Sequence, residues 1–178
     1  MRRRTFLAAL STLLFVTQSS QAQGPSQRKP RPIAILETTK GTIKLVLYPE
    51  VTPKTVTNFI KLVKQGFYNG LPFMSPAPKL IQTGDPKGDG TGGPGYTIPN
   101  EKNGLLRHNR GAVAMANSRR DTAGSQFYIV LGKPARDRDL QDPDGVNKYT
   151  LFGQVVEGQA IAEKLQAGDK IKKATIKD

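Results

Sequence analysis

Residues 115–129 read MANSRRDTAGSQFYI, and they decide the reading of this chain. An amide pair, Asn117 and Gln126, flanks a polar turn, and an apolar strand, Phe127–Leu131, follows at once. Upstream, Leu80-Ile81-Gln82-Thr83-Gly84-Asp85 supplies another strand that ends in an amide and a turn. Three amides carry donors and acceptors but no charge at any pH. Set among small and apolar residues (Leu80, Met115, Ala116, Tyr128, Leu140), they suit a surface that grips a peptide backbone. Satisfaction of buried barrel backbone is the other role open to such amides.

Outward from that core, the pattern is of short strands and turns. Ile33–Leu36, Thr42–Leu47, Leu71–Met74, Leu80–Thr83, Gly111–Met115, Ser125–Val130, Thr150–Val155 and Ala174–Ile176 are the candidate strands. Thr52-Pro53 reads as a cap and first helical residue, with Val56, Phe59, Ile60 and Val63 at helical spacing and Gly66 as the stop. A second helix is expected over Gly158–Gln166, turning Ile161 and Leu165 inward. The chain has 178 residues, with 18 Gly and 13 Pro. That length suits one domain, and those turn formers favour a mainly β fold, a closed barrel with helices over its ends.

The first residues are not part of that domain. Arg2, Arg3 and Arg4 precede a short apolar run, Phe6–Val16, and Ser20-Gln21-Ala22 offers a small-x-small cleavage site. Residues 1–22 are therefore expected to be a cleaved signal peptide, residues 23–31 a polar linker and residues 32–178 the domain. Arg3-Arg4-Thr5-Phe6-Leu7 also fits the twin-arginine pattern, so both export routes stay open. Either leads to the periplasm or an equivalent lumen. The absence of cysteine removes disulfides, thiolate catalysis and cysteine metal sites.

The formal net charge is +13, about +10 without the leader arginines. The basic residues are scattered and are not interleaved with aromatics, which excludes a nucleic-acid platform. A solvated basic surface with weak attraction to anionic membranes or acidic partners is expected. Gly88–Gly93 has dinucleotide-loop spacing, but Pro94 and Gly95 stand where a helix should open, so no nucleotide cofactor is expected. Asp137, Asp139, Asp142 and Asp144 miss the calcium-loop order. His108, the only histidine, has no metal-ligand partners in the pattern, and Ser125 lacks a nucleophile elbow. A surface histidine and a strand serine are the simpler readings, and neither metal nor cofactor is expected.

From about Ile33 to Ile176 the chain resembles the cyclophilin-type peptidyl-prolyl isomerases. The matching words are Thr52–Phe59, Ile81–Pro86, Gly90–Tyr96, Met115-Ala116-Asn117, Gly124–Phe127 and Leu151-Phe152-Gly153. The resemblance implies an eight-stranded antiparallel closed barrel capped by two α-helices. It implies isomerisation of the bond before proline, acting as a monomer on proline-containing peptides and on unfolded or partly folded proteins. It assigns Gln82 and Asn117 to contacts with the peptide backbone and Gln126 to the amide behind them. Ala116 and Gly90 fall on the small groove residues, Tyr128 on the pocket floor, where its hydroxyl would add polarity, and Leu140 on the wall. Tyr149 stands where some members have histidine. Asp139 falls on the family's tryptophan, which implies weak cyclosporin affinity.

The departure lies between Phe73 and Gln82. There the catalytic arginine position holds Ser75 and the pocket phenylalanine falls near Lys79, in a segment one residue short. Lys79 and Arg107 are the candidate replacement cations, although lysine lacks the planar fork. A silent barrel that only binds proline segments, and a basic adaptor that ignores the groove, are the competing readings.

Overall fold

A computed structural model describes residues 30–74, 79–101, 104–132 and 148–177. The leader, most of the linker, Ser75, Asp139, Leu140 and the aspartate cluster all lie outside the described residues. Strands β1 (Ile33–Thr38) and β2 (Gly41–Leu47) form a hairpin, followed by α1 (Pro53–Lys64), β3 (Leu80–Thr83), β4 (Ala112–Met115), β5 (Phe127–Val130), β6 (Leu151–Glu157), α2 (Gln159–Ala162) and β7 (Ile171–Lys177). All neighbouring pairs are antiparallel, in the order β3-β5-β4-β6-β2-β1-β7, and the sheet curls around one core.

Alternation drives the curl. Ala34 and Leu36 of β1 and Ile43, Leu45 and Leu47 of β2 point inward and are fully buried. Phe59 of α1 enters the same core and lies 5.1–5.4 Å, ring to ring, from Tyr68, Phe127 and Phe152. Strands β4 and β5 are buried on both faces. Val113, Met115, Phe127 and Ile129 join the interior. Ala112, Ala114, Tyr128 and Val130 form a second cluster on the outer face with Leu80, Ala116, Leu151 and Tyr149. This outer cluster is what positions the site.

Seven strands are present among the described residues, not eight. The predicted strand Leu71–Met74 makes only isolated bridges, Pro72 with Lys170 and Met74 with Gln82. Pro72 has no N–H to donate, which prevents a continuous ladder. The segment still reaches both sheet edges: Met74 and Gln82 exchange hydrogen bonds of 2.7 and 2.8 Å, and Phe73 N–H donates to Asp169 O at 2.6 Å.

Helix α1 starts and stops where expected, but by different means at its start. Thr52 occupies the cap position yet makes no side-chain cap bond. The Glu101 carboxylate does so instead, accepting from Lys54 N at 3.0 Å and Thr55 N at 2.7 Å. At the far end Phe67 N–H reaches Leu62 O, Gly66 N–H reaches Val63 O, and Gly66 takes φ +70°. Helix α2 is shorter than the expected Gly158–Gln166. After Ala162 the bonds tighten to Lys164 N→Ile161 O and Leu165 N→Ala162 O, and the Asp169 carboxylate takes the Gln166 N–H at 2.9 Å.

Candidate functional site

The outer face of β3 and β5, with Ala116 just after β4, is the floor of a groove of about 1000 Å³. Its walls are the glycine-rich loop that follows β3 and the turn between Asn117 and Gly124. Strand parity selects the floor. Leu80 and Gln82 of β3 and Tyr128 of β5, with Gln126 just before that strand, share one side, while Ile81, Phe127 and Ile129 turn inward.

Leu80, Ala116, Tyr128 and Tyr149 make the apolar part. Tyr149 meets Tyr128 edge-on with ring centres 5.8 Å apart. Tyr128 is 3% exposed, and its hydroxyl does not add polarity to the floor as expected from sequence. It lies 2.9 Å from His108 Nε2, the two rings stacked within 17° of parallel. His108 is accordingly a buried residue, 5% exposed, and not the surface histidine expected. Burial, with Tyr149 nearby, pushes the Tyr128 phenol well above its ordinary value.

The amides form a relay. Gln82 Nε2 donates to Gln126 Oε1 at 2.7 Å, and Gln126 Nε2 donates to Gly92 O at 2.7 Å and Gly90 O at 3.0 Å. Gln126 is thereby consumed in tying β5 to the loop. Gln82 keeps its carbonyl oxygen without a bond to any described residue, at the groove surface. Asn117 lines the groove, but its Nδ2 donates to Arg119 O at 2.6 Å, and its buried Oδ1 has no partner. Its side chain serves its own turn, which Thr122 closes from the other side onto the same Arg119 carbonyl.

The loop is held from below by Asp85, fully buried, which accepts from Lys87 N at 2.8 Å and Gly90 N at 2.5 Å. Gly92 packs so closely on that carboxylate that a Cβ there would overlap it. The Gly88–Gly93 segment is thus a shaped wall with its carbonyls directed at Gln126. Across the groove, Tyr96 OH donates to Asn58 Oδ1 at 2.7 Å and Asn58 Nδ2 donates to Gly124 O at 2.8 Å, pinning the far wall to α1. Ser125 Oγ donates to Gly84 O at 2.6 Å inside the protein, where it is useless as a nucleophile.

Eight of the residues singled out from sequence therefore meet: Leu80, Gln82, Gly90, Ala116, Asn117, Gln126, Tyr128 and Tyr149 all line one groove. Met115 does not. It is fully buried in the interior beside Val113, because its parity in β4 is opposite to that of Ala114 and Ala116. Ser75 and Leu140 lie outside the described residues. The two candidate replacement cations also stand elsewhere. Arg107 donates to Gly104 O and Leu106 O beside a separate small pocket, and Lys79 takes φ +65° with its stem over Gly132. Sequence reasoning missed Asp85, Asn58, Tyr96 and the His108 partnership. Asp85, Asn58 and Tyr96 all stand in the matching words, which give none of them a role, and nothing local points to the His108 partnership.

Among the described residues no three His, Asp or Glu side chains gather as metal ligands. What remains among the described residues is an uncharged amide surface beside an apolar hollow, with the Tyr128 hydroxyl and His108 buried against each other. Such a surface can bind and orient a peptide.

Residues 33–178 match the family described as "Cyclophilin type peptidyl-prolyl cis-trans isomerase/CLD". The chain is 42% identical over 136 residues to peptidyl-prolyl cis-trans isomerase B of Bacillus subtilis, covering 75% of this chain and 90% of that one. It is 43% identical over 141 residues to a peptidyl-prolyl cis-trans isomerase of Synechococcus elongatus, covering 78% and 91%. In three dimensions it is similar to a cyclophilin-type isomerase of Cryptosporidium parvum solved in the presence of the dipeptide Ala-Pro. The TM-score is 0.69 at 27% identity, over 82% of this chain and 99% of that one.

Proposed function

The chain belongs to the cyclophilin-type peptidyl-prolyl cis-trans isomerases, and on that premise we propose that its groove takes proline-containing segments of exported, unfolded or partly folded proteins and turns the bond before proline at a reduced rate. The observation that carries this reading is the juxtaposition of Gln82, with its open carbonyl oxygen, and the hollow made by Leu80, Ala116, Tyr128 and Tyr149. A proline ring fits the hollow while the amide side holds the backbone.

The chemistry needs little else. Rotation about the bond before proline takes tens to hundreds of seconds unaided and breaks no bond that stays broken. A site accelerates it by binding the twisted amide better than either planar form. Donors aimed at the twisted amide add the rest, and in this family the resemblance gives that task to an arginine at the position of Ser75. Met74, the residue before it, is bonded to Gln82 in both directions, which supports a role for this stretch at the groove. No arginine is among the described residues that line the groove. Loss of one preorganised donor costs roughly a hundredfold to a thousandfold. Serine at that position favours the second reading, a barrel that binds proline segments without turning them. We read Leu71–Met74 as a rudimentary eighth strand that closes the barrel through its bridges to Gln82 and Lys170.

Export to the periplasm or an equivalent lumen rests on the leader in residues 1–22. Fractionation of cells expressing the full chain tests it: recovery outside the cytoplasm, shortened by the leader, is expected, and a full-length cytoplasmic product would rule it out. For the arginine position, Ser75→Arg should raise the rate of exchange on a neutral Ala-Pro peptide by at least about tenfold. An unchanged rate would mean that position 75 does not hold the donor.

A further inference from the structure

We infer that the groove prefers proline segments with acidic side chains on either side of the proline, an inference that rests on the reading of the groove as a proline-peptide site. The reason is a set of cations on or beside residues that line the groove. Lys148 Nζ sits 5.6 Å from the centre of the Tyr149 ring, and Lys61 Nζ, on α1, sits 5.2 Å from that of Tyr96. Both tyrosines line the groove, and each has an ammonium held over its aromatic ring. Lys87 lines the groove and makes no ion pair within 4 Å of a described acid, although its charge acts on Asp89. Arg119 and Arg120 are exposed on the turn that joins the groove residues Ser118 and Thr122.

Among the described residues the local acids only partly offset this field. Asp85 is buried and both its oxygens are taken by backbone N–H groups. Asp121 accepts from Asn100 N at 2.7 Å and stands 4.0 Å from Arg120. Asp89 is turned to Thr91, whose N–H and hydroxyl it accepts. Among the described residues five cations stand against the three acids Asp85, Asp89 and Asp121, and apart from Lys87 every described residue lining the groove is neutral at pH 7. A peptide lying along the hollow presents its flanking side chains to the surrounding surface, where these cations are. Attraction there acts over the Debye length, so it shows as tighter binding and faster encounter at low salt.

The test uses three peptides with the same Ala-Pro centre and Glu, Gln or Lys on both flanks. Dissociation constants come from NMR titration, and exchange rates are measured on the same samples. At low ionic strength the Glu peptide should bind about fivefold or more tighter than the Lys peptide, converging at roughly 0.5 M salt. Lys87→Ala should shrink that ratio, whereas Lys173→Ala, the same charge change on the exposed face of β7, should leave it unchanged. Equal constants at low salt overturn the inference. So does an equal response to both variants, which assigns the preference to net charge alone. The Gln peptide separates the two claims. Exchange on it tests the isomerase reading, and the Glu-to-Lys ratio of dissociation constants tests the acidic preference whether or not turnover occurs.

Discussion

Asp85→Asn tests how the groove wall is held. The carboxylate is fully buried and accepts two backbone N–H groups, from Lys87 at 2.8 Å and Gly90 at 2.5 Å. Bonds to a charged acceptor are worth about 1.5–3 kcal/mol each. The amide keeps one of them and turns an NH₂ toward the other donor. Lys87 and Gly90 are exposed, so the freed N–H recovers some hydration as the loop opens. A net cost of about 2–4 kcal/mol follows, large beside a typical total of about 5–15 kcal/mol. With a urea slope of roughly 2 kcal/mol per molar, the midpoint should fall by about 1–2 M. The loss should reach the site as well. Gly90 and Gly92 carbonyls hold Gln126, which holds Gln82. Urea melts, hydrogen exchange at Lys87 and Gly90, and peptide exchange rates read the three links in turn. A midpoint within about 0.2 M of wild type, with both amides as protected as before, would refute the reasoning.

Glu101→Gln removes the charged cap of α1 and should cost about 1 kcal/mol, or roughly 2–4 °C in Tm; an unchanged Tm would leave the cap without energetic weight. Met115→Ala should destabilise by about 2–5 kcal/mol as a cavity in the core while leaving peptide affinity in the surviving folded fraction unchanged. A selective loss of affinity would instead return Met115 to the groove. Burial pushes the Tyr68 and Tyr128 phenols well above their ordinary value. Their raised folded values mean that the neutral form stabilises the fold fully below the ordinary tyrosine range, and that this contribution is lost as pH rises through the folded values. Of the five tyrosines, those two should ionise only as the protein unfolds in alkali, followed by tyrosinate absorbance; smooth titration of all five in the folded state would contradict this.

What the sequence revealed and what it hid divide along range. The β1–β2 hairpin, the start of α1 at Pro53 and its stop at Gly66 rest on neighbouring residues, and periodicity and turn formers expose them. The cap on Thr55 comes from Glu101, with |i−j| of 46, and no local pattern points to it. Tyr128 and His108 are likewise joined only by the packing of β5 against the segment before β4. Met115 was a matter of parity. Alternation along Ala112–Ala116 puts it with Val113 inside, and its place beside Ala116 and Asn117 in the motif concealed that. The short α2 has a similar cause, since Asp169 claims the Gln166 N–H that a longer helix would need. Leu71–Met74 has strand-like residues, but Pro72 breaks its ladder.

The central claim is that the groove around Gln82 accelerates rotation before proline. Exchange spectroscopy on a neutral Ala-Pro peptide, with wild type and with Gln82→Ala at equal concentration, tests it most directly. The expected result is faster cis–trans exchange with wild type, lost or sharply reduced in Gln82→Ala while the variant keeps its wild-type melting point. Exchange no faster than in buffer with wild type, or equal acceleration by both proteins, would contradict the claim.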